Sequence, residues 1–111
     1  MTGAAIHDNA AWATARPTIS VLIPFLRDDP QSLMELLDRE ADALNGAVEL
    51  ILLDDGTADA PLTDRLQTSA DASHLPVRLI TLPANEGRAR GRNRLTTAAR
   101  GQAYLFLDSD M

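Results

Sequence analysis

Four short apolar runs constrain this chain more than any other feature: "TISVLIP" at 18–24, "VELILLD" at 48–54, "VRLITL" at 77–82 and "AYLFLD" at 103–108. Each is aliphatic and almost unbroken, the pattern of a strand covered on both faces rather than of a half-exposed one. They begin 26 to 30 residues apart, room enough for a crossover between parallel neighbours. The intervening segments have helical character. Asp29 is a good N-cap and Pro30 a good first helical residue. Leu33, Leu36, Leu37, Ala41 and Leu44 then repeat at helical spacing, and Asn45-Gly46 supplies a stop. A turn-rich stretch leads to a short helix around Leu62–Thr68. A third helix spans 86–99, with Ala89, Leu95 and Ala98 or Ala99 inward and Gly101 ending it. The order βαβαβαβ predicts an α/β fold, a Rossmann-like half of four mainly parallel strands with flanking helices. Residues 1–16 read as a flexible N-terminal leader, in which His7 and Trp12 have no role; the domain is expected over 17–111.

Open parallel sheets bind ligands beyond the carboxyl ends of their strands. Pro24, Phe25, Leu26 and Arg27 follow the first strand, and Asp54, Asp55, Gly56 and Thr57 the second. Pro83, Ala84, Asn85 and Gly87 follow the third, and Asp108 and Asp110 the fourth. Polar residues and glycines therefore converge on one edge. The net charge of −6 argues against a nucleic-acid partner, because such binders present a basic face. Locally the balance reverses, with Arg88, Arg90, Arg92, Arg94 and Arg100 in one short stretch. The chain has no cysteine, which excludes thiolate chemistry and fits a reducing compartment. No run approaches the roughly 18 apolar residues of a membrane span.

Three motifs carry chemistry. In "LLDDGTAD" a carboxylate at a strand end can accept hydrogen bonds from a base or a ribose; equally, Asp and Gly form turns, and Thr57 or Asp59 can cap the next helix. In "NEGRARGRN" a tight loop at Asn85 and Gly87 opens a helix whose free N–H groups suit an anion. Arg88 and Arg92 share one face of that helix, suited to a diphosphate or simply to solvent, while Arg90 and Arg94 point elsewhere and suit pairing with acids. In "LFLDSD" the carboxylates Asp108 and Asp110 lie two apart and face one side of an extended segment. Such oxygens suit Mg²⁺ or Mn²⁺, which keep substrate phosphates as further ligands; solvated strand-end acids are the alternative.

Taken in order, "ISVLIPF", "VELILLDDGTAD", "NEGRARGRN" and "GQAYLFLDSDM" resemble the nucleotide-binding half of family 2 glycosyltransferases, which have the GT-A fold. The resemblance covers about residues 18–111. It implies a nucleotide diphosphate-sugar donor (UDP-, GDP- or dTDP-linked), a Mg²⁺ or Mn²⁺ cofactor and inverting transfer to an acceptor hydroxyl. Asp55 matches the Asp that recognises the base, and Asp54 its less direct neighbour. Asn85, Gly87, Arg92 and Asn93 match the N-x-G-x-x-x-A-R-N pattern, with Gly91 in place of its Ala. Asp110 matches the metal-binding acid of the D-x-D motif, with Asp108 near the ribose or the metal. The nucleotide-binding set expected on both grounds is Pro24, Phe25, Asp54, Asp55, Asn85, Gly87, Arg88, Arg92 and Asp108, with Asp110 and Asp108 on the metal. Phe25, Leu26 and Arg27 depart from the family's small polar residue, aromatic and Asn. The general base and the acceptor half are expected downstream of Met111, so the chain reads as truncated after the D-x-D motif and inactive alone. A stand-alone, non-catalytic nucleotide-binding module is the alternative. The expected location is cytoplasmic, with peripheral attachment to the inner membrane left open for a full-length form.

Overall fold

The computed structural model describes residues 3–44 and 46–109. Four parallel strands, β2 (Ile19–Phe25), β3 (Val48–Asp54), β4 (Val77–Thr81) and β5 (Ala103–Phe106), form the sheet together with an antiparallel edge strand, β1 (Ala5–Asp8). The spatial order is β1-β4-β3-β2-β5. The chain therefore runs outward from β2 through β3 to β4, and a helical crossover then carries it back to β5 on the far side of β2. This reversal is a topological switch point, between β2 and β5.

The continuous apolarity of the runs is explained by two cores. Alternate strand residues point to opposite faces. Val21, Ile23, Leu50 and Leu52 pack with Leu33 and Met34 of α1 (Gln31–Arg39) and with Leu62, Leu66 and Ala70 of α3 (Ala60–Ala72). Leu22, Ile51 and Leu53 pack on the other face with Leu95 of α4 (Arg88–Ala98) and with Trp12. The crossover that reverses direction carries α4 to the face opposite α1 and α3, as right-handed connections require.

Several expectations need correction. Within the expected leader, residues 3–16 are part of the fold: they supply β1, a 3-10 turn at Ala10–Trp12 and the buried side chains of Asn9 and Trp12. The sheet thus has five strands, one of them antiparallel, rather than four. "AIHD" has no alternation to betray it, being an edge strand with mostly exposed residues. Asn9 anchors the segment through partners remote in sequence. Its Nδ2 donates to the carbonyls of Ala70 and Leu75, both at 2.8 Å, and its Oδ1 accepts the amides of Trp12 (3.2 Å) and Val77 (3.0 Å). His7 pairs with Asp71.

Helix α3 exceeds the expected short helix because three inward residues, Leu62, Leu66 and Ala70, suffice at four-residue spacing among polar neighbours. Its cap is Asp59, whose Oδ1 accepts the Leu62 amide. Leu36 is exposed, and α1 ends at Arg39 before the short α2 (Ala41–Leu44); Asn45, expected in the stop, lies outside the described residues. Leu95 of α4 faces inward and Ala98 and Ala99 pack against the core as expected, while Ala89 is exposed and Gly91 is buried instead. A Cβ at Gly91, where the family pattern has Ala, would meet Leu53 Cδ2 at 2.9 Å, so the Leu53 side chain would have to shift.

Candidate functional site

A cavity of about 470 Å³ lies at the switch point, at the carboxyl ends of β2 and β5. Its β2 side is Pro24, Phe25, Leu26 and Asp28; its β5 side is Phe106, Leu107, Asp108 and Ser109. Asp55 closes the β3 end, and Asn85, Gly87, Arg88 and Arg92 come from the loop and first turns of α4. Of the nucleotide-binding residues expected from the sequence, Pro24, Phe25, Asp55, Asn85, Gly87, Arg88, Arg92 and Asp108 all line this one space. Asp54 does not. It is buried beneath, and its Oδ1 accepts the Thr57 amide at 2.9 Å, so it shapes the turn. Asp110, expected on the metal, lies outside the described residues.

Local sequence explains how the loops are set. Gly56 has a φ of +88°, and a Cβ there would stand 2.3 Å from the Asn85 amide nitrogen and 2.4 Å from the Ala84 carbonyl carbon. Only glycine lets the β3 turn lie this close to the 84–85 loop. Asp55 then reaches across: Oδ1 accepts the Glu86 amide at 2.8 Å and Oδ2 the Gly87 amide at 3.2 Å. Gly87, with φ +96°, opens α4. On the β2 side, Arg27 holds a left-handed φ of 60°, and its amide donates to Thr57 Oγ1 at 2.8 Å. Non-glycine residues in that region are few and cluster at functional sites.

One of the arginines expected to pair with an acid does so. Arg94 grips Glu86 through two bonds, at 2.7 and 3.0 Å. The hydrogen bond from Arg94, resisted by desolvation, holds the Glu86 carboxyl below the usual glutamate range. Arg92 stacks 3.8 Å over the Phe106 ring. Arg88 and Asp108 line the cavity with no ion pair or side-chain hydrogen bond among the described residues. Site reasoning from the sequence missed Asp28 and Ser109, which are joined by a bond from Ser109 Oγ to Asp28 Oδ2 at 3.1 Å. Nothing in the spacing signals that pair; only the neighbouring of β2 and β5 does.

Among the described residues, no three His, Cys, Asp or Glu side chains gather in a metal-holding group. The oxygens of Asp108 suit a hard cation that keeps waters and takes ligand phosphates to complete its shell, as Mg²⁺ and Mn²⁺ do. The site thus presents cationic side chains and a helix start on one wall and the Asp108 carboxylate on the other.

Residues 20–111 match the model of the glycosyl transferase family 2. The chain belongs to that family. Its sheet has the Rossmann-like GT-A architecture, shared with a solved mycobacterial protein at 30% identity and a TM-score of 0.56, covering 91% of this chain and 33% of that one. Among curated relatives, it is 30% identical over 95 residues to an N-acetylglucosaminyltransferase of Rhizobium leguminosarum bv. phaseoli, covering 85% of this chain and 22% of that protein. It is 31% identical over 100 residues to a glucosyl-3-phosphoglycerate synthase of Mycolicibacterium paratuberculosis, covering 89% of this chain and 30% of that protein. The chain thus spans less than a third of the length of these two relatives. Among the described residues, no helix is long and apolar enough to cross a membrane.

Proposed function

We propose that the switch-point cavity is the donor site of a glycosyltransferase and binds a nucleoside diphosphate-sugar together with Mg²⁺ or Mn²⁺. One observation carries this reading: the uncommitted Arg88 and the start of α4 face the uncommitted Asp108 across a single cavity. A diphosphate suits the α4 wall, where Arg88, Arg92 and the amides of the first helical turn favour negative charge. Against the β5 wall the same diphosphate would meet the carboxylates, so a bridging divalent cation is needed for it to sit there. Asp108 and Asp110 would hold that cation, which offsets the charge that grows on the diphosphate as it leaves. Asp55 is assigned to the base, through lone pairs its backbone bonds leave free, and Phe25 and Pro24 to the apolar lining.

In the reaction so read, an acceptor oxygen attacks the anomeric carbon as the bond to the diphosphate breaks. The acceptor proton passes to a general base, and the configuration inverts. No residue of this chain is assigned as that base. The test is a thermal melt with UDP, GDP and dTDP, each with Mn²⁺ and with a chelator. A ligand that binds only the folded state at 100 times its Kd adds about 2.7 kcal/mol of stability. A rise in Tm requiring both nucleotide and metal supports the reading and names the base; nucleotide shifts that persist unchanged in chelator refute the metal's part.

A further inference from the structure

We propose that Asp55 has a second task in the site: its carboxylate positions the start of α4, so that the base side and the phosphate side of the cavity are coupled through one side chain. The ligand assignments rest on the donor-site reading above; the positioning itself rests on geometry. Asp55 is nearly buried, and its own amide donates to the Phe25 carbonyl at 2.9 Å, which fixes it to the end of β2. Both carboxylate oxygens are engaged by backbone donors, Glu86 N at 2.8 Å and Gly87 N at 3.2 Å. These are the last two amides before α4. The helix's first internal bond runs from Gly91 N to the Gly87 carbonyl at 3.0 Å, so the amides of residues 88, 89 and 90 have no intrahelical acceptor. Asp55 therefore holds the residues that aim those amides, and Arg88 with them.

A residue serving only base recognition would need neither bond. A carboxylate offers about four lone-pair positions, so two backbone amides leave room for one donor from a base. Bonds from backbone N–H to an ionised acceptor are among the stronger hydrogen bonds. They are needed here, because the loop they hold contains Gly87 at φ +96°, in a region that costs glycine little and lets the free loop wander. Through this link a base that draws on Asp55 also acts on the phosphate wall, and the coupling is reciprocal.

The experiment compares the wild-type chain with Asp55→Ala, and with Asp55→Asn, which keeps its shape and one acceptor should alanine not fold. Pyrophosphate with Mn²⁺ is the probe that has phosphates and no base; UDP with Mn²⁺ has both. Titration calorimetry should show both ligands weakened in the variants, pyrophosphate by at least about fivefold. Amide hydrogen exchange, read without ligand, should show faster exchange at Glu86 and Gly87 with the Leu95 amide unchanged. Weakened UDP with unaltered pyrophosphate affinity would reduce Asp55 to base recognition and overturn the proposal. Unaltered exchange at Glu86 and Gly87 would overturn the positioning role by itself, with the donor-site reading intact. A wild-type chain that binds neither probe sinks the donor-site reading and the coupling with it.

Discussion

Replacing Glu49 with Leu should be among the most damaging single changes in this protein, although it lies far from the cavity. Glu49 sits at the amino end of β3 and is completely buried. Its Oε2 accepts from Ser20 Oγ and from the Arg100 amide, and its Oε1 accepts Arg100 Nε, all at 2.7 Å. Arg100 is in turn fixed by a bond from Nη1 to the Trp12 carbonyl (2.9 Å) and by stacking 3.7 Å over the Trp12 ring. Leucine conserves the volume roughly and removes every acceptor. Removing one partner of a buried ion pair costs about 3–5 kcal/mol. The low end applies, because the Arg100 side chain is 32% exposed and can swing to water. For a domain whose whole stability is of order 5–15 kcal/mol, a loss of about 3 kcal/mol is severe. At roughly 4 °C per kcal/mol for a chain of this size, Tm should fall by about 12 °C.

The reverse deletion, Arg100→Leu, should cost more, towards about 5 kcal/mol, because the stranded carboxylate cannot reach solvent. The double variant should lose less than the sum, since neither charge is then left alone. Urea denaturation followed by circular dichroism gives all three values at 25 °C. A Glu49→Leu loss under about 1 kcal/mol, or singles that add to the double, would refute the account of the network. Donor binding by the folded fraction should be unaltered, because the network occupies the opposite end of the strands from the cavity.

Asn9→Ala strands the Leu75 carbonyl and the Val77 amide, while the Ala70 carbonyl keeps the Ser73 amide and the Trp12 amide keeps the Asn9 carbonyl. Each stranded buried group costs about 1–3 kcal/mol, so an urea midpoint near wild type would contradict the anchoring role. Asp108→Asn and Asp110→Asn should abolish the metal-dependent part of nucleotide binding, while Asp59→Asn, at the cap of α3, should leave it intact; equal losses in a titration would sink the assignment. Asp38 adds a pH signature: burial raises its pKa, but bonds from the His74 amide, the Ser73 hydroxyl and the His74 ring outweigh this and bring it below the ordinary 3.8. A folded pKa below the unfolded one gives stability that is present above about 3.8 and lost as pH falls through the folded value. Asp38→Asn should therefore be less stable at neutral pH and flatten the acid limb of a Tm–pH curve; a parallel limb would refute it.

The sheet was legible where burial on both faces writes a continuous apolar run. β3 falls on 48–54 to the residue, and β2 and β4 within one. The same runs conceal Glu49, whose partner lies 51 residues away. β1 was not legible, since an exposed edge strand of four residues has no pattern, and three of the four side-chain bonds of Asn9 go to partners more than sixty residues on. At the site, topology did most of the work: once the strands are parallel, their carboxyl ends must meet, and the residues there converge. Strand pattern alone did not settle which of two adjacent acids faces the cavity; the family resemblance favoured Asp55. Successive residues leave a strand in opposite directions, and the register of β3 turns Asp54 inward and Asp55 to the site.

The two ends of the sheet differ in how their charges are used, and this separates stability from function. At the amino ends every prominent charge is matched within the fold: Glu49 to Arg100, Asp8 to Arg78 through bonds of 2.7 and 2.8 Å, and both arginines to the faces of Trp12. Such a network holds the leading segment and β5 onto the sheet and has nothing left for a ligand. At the carboxyl ends, Asp54, Asp55 and Glu86 are bound to backbone or to Arg94, and these bonds fix loops. Arg88 and Asp108, which line the cavity, have no ion pair or side-chain hydrogen bond among the described residues. A folded chain gains nothing from opposite charges kept apart across an open cavity. Their separation has a use when something carrying both an anion and a cation comes to lie between them.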